Sequence, residues 1–120
     1  MITLDPRSAT PPFEQLRVQI TEQVRSGALA AGVRLPTVRR LAEDLGLAPN
    51  TVARAYRELE ADGLVETRGR NGTVVRPQGD AAAQQAQEAA RAYADRVAKL
   101  GVTPAEALRY VTGALGASGS

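Results

Sequence analysis

The stretch "TVRRLAEDLGLAPNTVARAYRELEADG", residues 37–63, leaves a folding chain few choices. Thr37 offers a side-chain oxygen to the N-terminus of a helix. Val38, Leu41, Ala42 and Leu45 then recur at helical spacing, and Gly46 supplies the left-handed residue that ends the run. Pro49 follows at a first-turn position, where a missing N–H costs nothing. A second apolar series, Val52, Ala55, Tyr56 and Leu59, runs to about Asp62 and stops at Gly63. Two helices joined by a turn of three to four residues make a helix-turn-helix.

The flanks complete the architecture. Upstream, "PPFEQLRVQITEQVRSG" sets Phe13, Leu16, Ile20 and Val24 on one face of a further helix ending near Gly27. "ALAAGVRL" reads as a connector bending at Gly32. Downstream, "LVETRGRNGTVVR" places two β-prone runs around a Gly-rich turn, a hairpin. Helix, helix-turn-helix and hairpin in that order predict a winged helix-turn-helix domain over residues 1–77: mainly α, with a small β-hairpin wing.

From Gln78 the chain becomes Ala- and Gln-rich, with few β-branched residues. Asp80 caps one predicted helix, and Thr103, Pro104 and Glu106 form a capping box for a second. Together they give a two-helix C-terminal tail over residues 78–120. Its apolar stripe is narrow: Ala90, Tyr93, Val97 and Leu100 on the first helix, then Leu108, Val111 and Leu115 on the second. So alanine-rich a hairpin is marginal alone. The expectation is a homodimer joined through Tyr93, Val97, Leu100, Leu108 and Val111.

Composition removes most alternatives. With no Cys and no His, the chain lacks a thiolate nucleophile, the commonest general base and the commonest transition-metal ligand. No enzymatic role, cofactor or metal is expected, and "GRNG" lacks the lysine and hydroxyl of a phosphate-binding loop. No apolar run approaches the ~20 residues of a membrane helix. The N-terminus has no apolar core of a secretory signal, so the chain reads as cytoplasmic. The net charge of +2 conceals two clusters free of acids: Arg34, Arg39 and Arg40, and Arg68, Arg70 and Arg76. Clusters rather than net charge attract a polyanion, and the arginine fork suits phosphate and guanine.

On the third helix, Asn50, Arg54 and Arg57 fall nearly opposite the apolar series. A plain solvated face, with Arg54 paired to Glu58 at i,i+4, explains that pattern in isolation. In a winged helix, however, this helix enters the major groove with its first turn nearest the bases. Asn50 then suits adenine, Thr51 a phosphate or thymine methyl, and Arg54 guanine or backbone. Thr37 and Arg39 begin the helix that crosses the phosphate backbone; Arg40 does the same or pairs with Glu43 or Asp44. Arg68 and Arg70, around Gly69, suit the adjacent minor groove, while Gly69 itself primarily serves the turn. The same fold also serves as a protein-docking module, but such a module has no need of the Asn-Thr start.

Residues 27–75 resemble the DNA-binding domain of the GntR family of bacterial transcription regulators. The matching parts are "GVRLPTVRRLA", "LGLAPNTV", "LEADGLV" and "GRNGTVV". The short helical remainder is similar to the YtrA-like subfamily, whose tail mainly makes the dimer; FadR-like members usually have arginine where Pro49 stands. The resemblance implies DNA contacts at Thr37, Arg39, Asn50, Thr51, Arg68, Gly69 and Arg70; Arg54 is added from helix geometry alone. It further implies a double-stranded DNA operator of pseudo-palindromic form and a repressor of a transporter-type operon. A small-molecule effector is left unidentified, and its place would be between domain and tail or at the dimer interface. One departure is Ala48, where relatives usually carry a capping Ser or Thr, a loss of about 1 kcal/mol of helix stability.

Overall fold

The computed structural model describes residues 2–118. Within them the elements run α1 (Pro12–Ser26), α2 (Val38–Leu45), α3 (Pro49–Ala61), β1 (Val65–Thr67), β2 (Thr73–Val75), α4 (Ala81–Lys99) and α5 (Pro104–Ser118). This is a winged helix-turn-helix followed by a helical pair, the class anticipated.

Helix ends follow local chemistry. The Arg40 N–H donates to Thr37 Oγ1 at 3.1 Å, capping α2. Gly46, at φ 67°, turns the chain out of α2, while the Leu47 N–H reaches back to the Ala42 carbonyl at 2.9 Å. Pro49 opens α3, and Ala48 before it provides no side-chain cap.

Packing of α1 on α3 forms the centre of the molecule. Leu16, Val52, Ala55 and Leu59 are completely buried there. Leu35, Leu41, Ala42, Leu64, Val65 and Val75 extend the same core to α2 and the wing. Burying a side chain of this size stabilises by about 1.5–3 kcal/mol each.

The one phenol in this core has a structural task. Tyr56 Oη donates to the Pro36 carbonyl at 2.7 Å, tying α3 to the residue before the α2 cap. Burial pushes the Tyr56 phenol up from 10 to about 12. The neutral form is therefore the one the fold favours, and its contribution is complete below pH 10. It is lost as pH rises from 10 towards 12, because the unfolded chain ionises first. Urea unfolding at pH 9 and pH 11.5 is expected to reveal this loss, and Tyr56→Phe to show a smaller decline over the same interval.

In the wing, Val65 pairs with Val75 and Thr67 with Thr73 across an antiparallel ladder. The connector read as simple loop does more than link helices. Gly32 N–H donates to the Val75 carbonyl at 2.8 Å, Val75 N–H to the Val33 carbonyl at 2.9 Å, and Leu35 N–H to the Thr73 carbonyl at 2.8 Å. Arg34 thereby bridges Val74 on the outer side of β2. Backbone groups on that edge would otherwise lack protein partners.

The tail is lightly packed. No side chain of α4 is buried, and among the described side chains of α5 Ala107 is the buried apolar one. Asp80 Oδ1 accepts from the Ala83 N–H at 2.9 Å, and Thr103 and Glu106 satisfy each other's backbone N–H groups at 3.2 Å. Tyr93 Oη donates to the Ala107 carbonyl at 2.8 Å, joining α4 to α5 within the chain. The linker is held from both sides. Gln78 Nε2 donates to the Gly63 carbonyl at 3.2 Å on the winged helix, and Gln87 Oε1 on α4 accepts from the Gln78 N–H at 3.1 Å.

Candidate nucleic-acid interface

With Val52, Ala55, Tyr56 and Leu59 turned inward, helical geometry leaves Asn50, Arg54 and Arg57 exposed and Thr51 and Ala53 half-buried. Asn50 and Thr51 occupy the first turn of α3. Because no side chain caps that turn, the partial positive charge of the helix N-terminus is open to an incoming anion.

The first turn of α2, which packs directly on α3, carries Thr37, Arg39 and Arg40, all exposed. The two guanidinium groups, of Arg39 and Arg40, differ in engagement. Arg40 Nε lies 3.2 Å from Asp44 Oδ1, an i,i+4 pair, so of the two acids available Asp44 is the partner. Both side chains are largely in solvent, where such a pair contributes about 0–1 kcal/mol and yields readily to a competing phosphate. Arg39 has no side-chain partner among the described residues.

The wing is braced to α3 by the Thr67 N–H, which donates to Glu60 Oε2 at 3.1 Å. At its tip Arg68 pairs with Glu66 at 2.6 Å, whereas Arg70 is exposed with no side-chain partner among the described residues. Gly69 has φ 54°, and a Cβ there would meet nothing within 4 Å. Backbone conformation rather than space therefore requires glycine at this turn.

Arg54 does not form the i,i+4 pair with Glu58 that a plain solvated face would carry. Its guanidinium stacks instead over the Phe13 ring of α1, 3.6 Å from the centroid. Glu58 keeps one carboxylate oxygen buried without a hydrogen bond. On the same side, Arg17 hydrogen-bonds Glu14 and holds that carboxyl below its ordinary range, and it approaches Asp62 at 3.8 Å. The signal for this arrangement was Phe13 itself, an aromatic at the N-terminal end of the α1 stripe and only half-buried. Nothing local in the sequence indicated that its ring would meet Arg54.

The candidate dimer residues divide into two groups. Tyr93, Val97 and Val111 are half-buried, Tyr93 being bonded across the α4–α5 pair. Leu100 and Leu108 are 60% and 66% exposed, and Leu115 and Tyr110 are exposed beyond them. Among the described residues there is no group of three or more His, Cys, Asp or Glu able to hold a metal ion. No helix there is long and apolar enough to cross a membrane.

Comparison with known proteins agrees with this geometry. Residues 12–75 match the family described as bacterial regulatory proteins, gntR family. The chain is 50% identical over 111 residues to the HTH-type transcriptional regulator Rv1152 of Mycobacterium tuberculosis, covering 92% of this chain and 91% of that protein. It is 45% identical over 75 residues to the HTH-type transcriptional repressor YtrA of Bacillus subtilis, covering 62% of this chain and 58% of the relative. Among solved structures, YtrA from Sulfolobus acidocaldarius, a GntR-family transcription factor, superposes with a TM-score of 0.61 at 35% identity, covering 65% of this chain and 82% of that one. These relatives are regulators of transcription rather than enzymes. An outward helix-turn-helix face, a basic wing and a family match spanning both make this chain a member of the GntR family of bacterial transcription regulators.

Proposed function

We propose that this protein is a homodimeric repressor that reads a pseudo-palindromic operator, with residues 1–77 binding DNA and residues 78–120 joining the two copies. The observation that carries this reading is the uncapped first turn of α3, with an exposed Asn50 and a half-buried Thr51 next to a fully buried Val52. Asn50 and Thr51 contact base edges and phosphate in the major groove. Thr37, Arg39 and Arg40 grip the backbone, and Arg68, Gly69 and Arg70 follow the neighbouring groove. Arg54 reaches DNA by leaving Phe13. A transporter-type operon is the expected target, on the resemblance to YtrA-like regulators.

Support for the dimer comes from the tail's unfinished packing: α4 buries no side chain, and Leu100 and Leu108 stand in solvent. Such exposed apolar side chains mark association surfaces when they are contiguous. Replacing Leu100 and Leu108 together by Glu is expected to halve the mass measured by sedimentation without loss of helicity. An unchanged mass would remove the tail from the interface.

DNA recognition itself is tested by retaining sheared genomic fragments on the purified protein at ~150 mM salt, where nonspecific phosphate binding is weak. Enrichment of one two-fold-related sequence is the expected result. Uniform recovery by the folded protein would instead favour a winged helix that docks on another protein.

A further inference from the structure

Between the winged helix and α4 lies a cleft of about 570 Å³, within the size range of small-molecule sites. One wall is the end of α1 and the following segment, with Val24, Leu29 and Ala31; β2 adds Val75, and α4 closes it with Ala90 and Ala94. The charged residues lining it are Arg25, Arg76 and Arg91, with no Asp or Glu among them. Apolar walls carrying three cations and no acid are an unusual combination in a chain with 13 acidic residues.

The polar groups of the cleft are unevenly committed. Gln87 is spent on the linker, donating from Nε2 to the Gln78 and Ala83 carbonyls. Gln78 Nε2 is spent on the Gly63 and Arg76 carbonyls. Arg91 pairs with Asp95 at 3.2 Å. Its stem crosses Gly32 so closely that a Cβ there would lie 3.0 Å from Arg91 Cγ. The guanidinium groups of Arg25 and Arg76 have no ion-pair partner among the described residues. Two forked donors beside an apolar wall favour a ligand with an anionic head and an apolar body, since partial desolvation strengthens the charge-assisted bond.

We propose that this cleft is a binding site for a small amphiphilic anion, a carboxylate, sulfonate or phosphate monoester on an apolar frame, held by Arg25 and Arg76. The DNA backbone is a poor occupant because it has no apolar body to fill the Val24–Leu29–Ala90 side. Because the walls belong to both the winged helix and the tail, occupancy fixes the seat of one on the other. That consequence for DNA binding rests on the reading of the protein as a dimeric operator-binding regulator; the site itself does not.

The test uses the fluorescent probe anilinonaphthalenesulfonate and its uncharged parent, titrated into the intact protein without DNA. The sulfonate is expected to bind at least about tenfold more tightly than the parent, the equivalent of one charge-assisted hydrogen bond. Arg25→Gln combined with Arg76→Gln is expected to erase that preference, while Arg96→Gln, outside the cleft, retains it. Ala90→Phe, which fills the cleft, is expected to abolish both titrations, and excess inorganic phosphate alone is expected not to displace the probe. Equal binding of the two probes, a preference surviving in the folded double variant, wild-type titration by Ala90→Phe, displacement by inorganic phosphate, or no binding at all would each overturn the site. A separate titration in the presence of selected operator DNA reads the coupling, which by linkage requires a different probe affinity. Equal affinity there would overturn the coupling and leave the site standing.

Discussion

Replacing Arg39 and Asn50 together by Ala is expected to weaken operator binding by about 100-fold or more while leaving the fold intact. Each substitution is expected to cost about 1–3 kcal/mol. The two side chains belong to different helices, so their effects should approach additivity. Neither supports the core: both are exposed, and Arg39 has no side-chain partner among the described residues. Thermal unfolding of the double variant should therefore follow the parent. The single variants are expected to fail in different ways. Arg39→Ala should weaken all sequences alike and lower the salt dependence of binding by about one phosphate contact. Asn50→Ala should weaken the operator more than random DNA, because a base contact carries discrimination that a phosphate contact lacks. Fluorescence anisotropy on operator and random duplexes at several salt concentrations separates the two. Equal losses on both duplexes for Asn50→Ala would place it on the backbone.

The second large effect is on stability. Leu59→Ala is expected to cost about 3–5 kcal/mol, the upper part of the range for deeply buried leucines. Leu59 is completely buried in the core cluster that α3 shares with α1, α2 and the wing. Leu16, Leu64 and Val65 of the same buried cluster are themselves essentially without exposure, and a cavity in so enclosed a core has little room to collapse. For a domain whose total stability is about 5–15 kcal/mol, the urea midpoint should fall by a large fraction. Leu108→Ala, at a residue 66% exposed, is the comparison within the monomer and should change the fold's stability by under about 0.5 kcal/mol. Similar losses at the two positions would mean that the packing of α1 on α3 is not what holds the winged helix together.

Much of this organisation was legible because its causes are local. Thr37, Gly46 and Pro49 act on the backbone within one turn of themselves, so the bounds of α2 and α3 followed from residue chemistry. The inward face of α3 followed from helical period alone. What stayed hidden depends on partners distant in the chain. Arg34 joins β2 because that strand has an open edge, and "ALAAGVRL" bears no alternation that announces it. Arg54 had a sound local partner in Glu58, yet the Phe13 ring offers a larger surface for its planar guanidinium. Tyr93 looked like one more member of an apolar stripe until its hydroxyl met the Ala107 carbonyl. The proposed DNA contacts of α2, α3 and the wing were all placed in sequence, whereas the cleft beside α4 required the tail to be docked first.

In the proposed complex two copies of α3 enter successive major grooves of one operator. Hydroxyl-radical footprinting of the intact protein on a selected genomic fragment tests this arrangement most directly. Two equivalent patches of backbone protection related by a two-fold axis are expected, their centres about one helical turn, roughly 34 Å, apart. A single patch, or protection without two-fold symmetry, would contradict it.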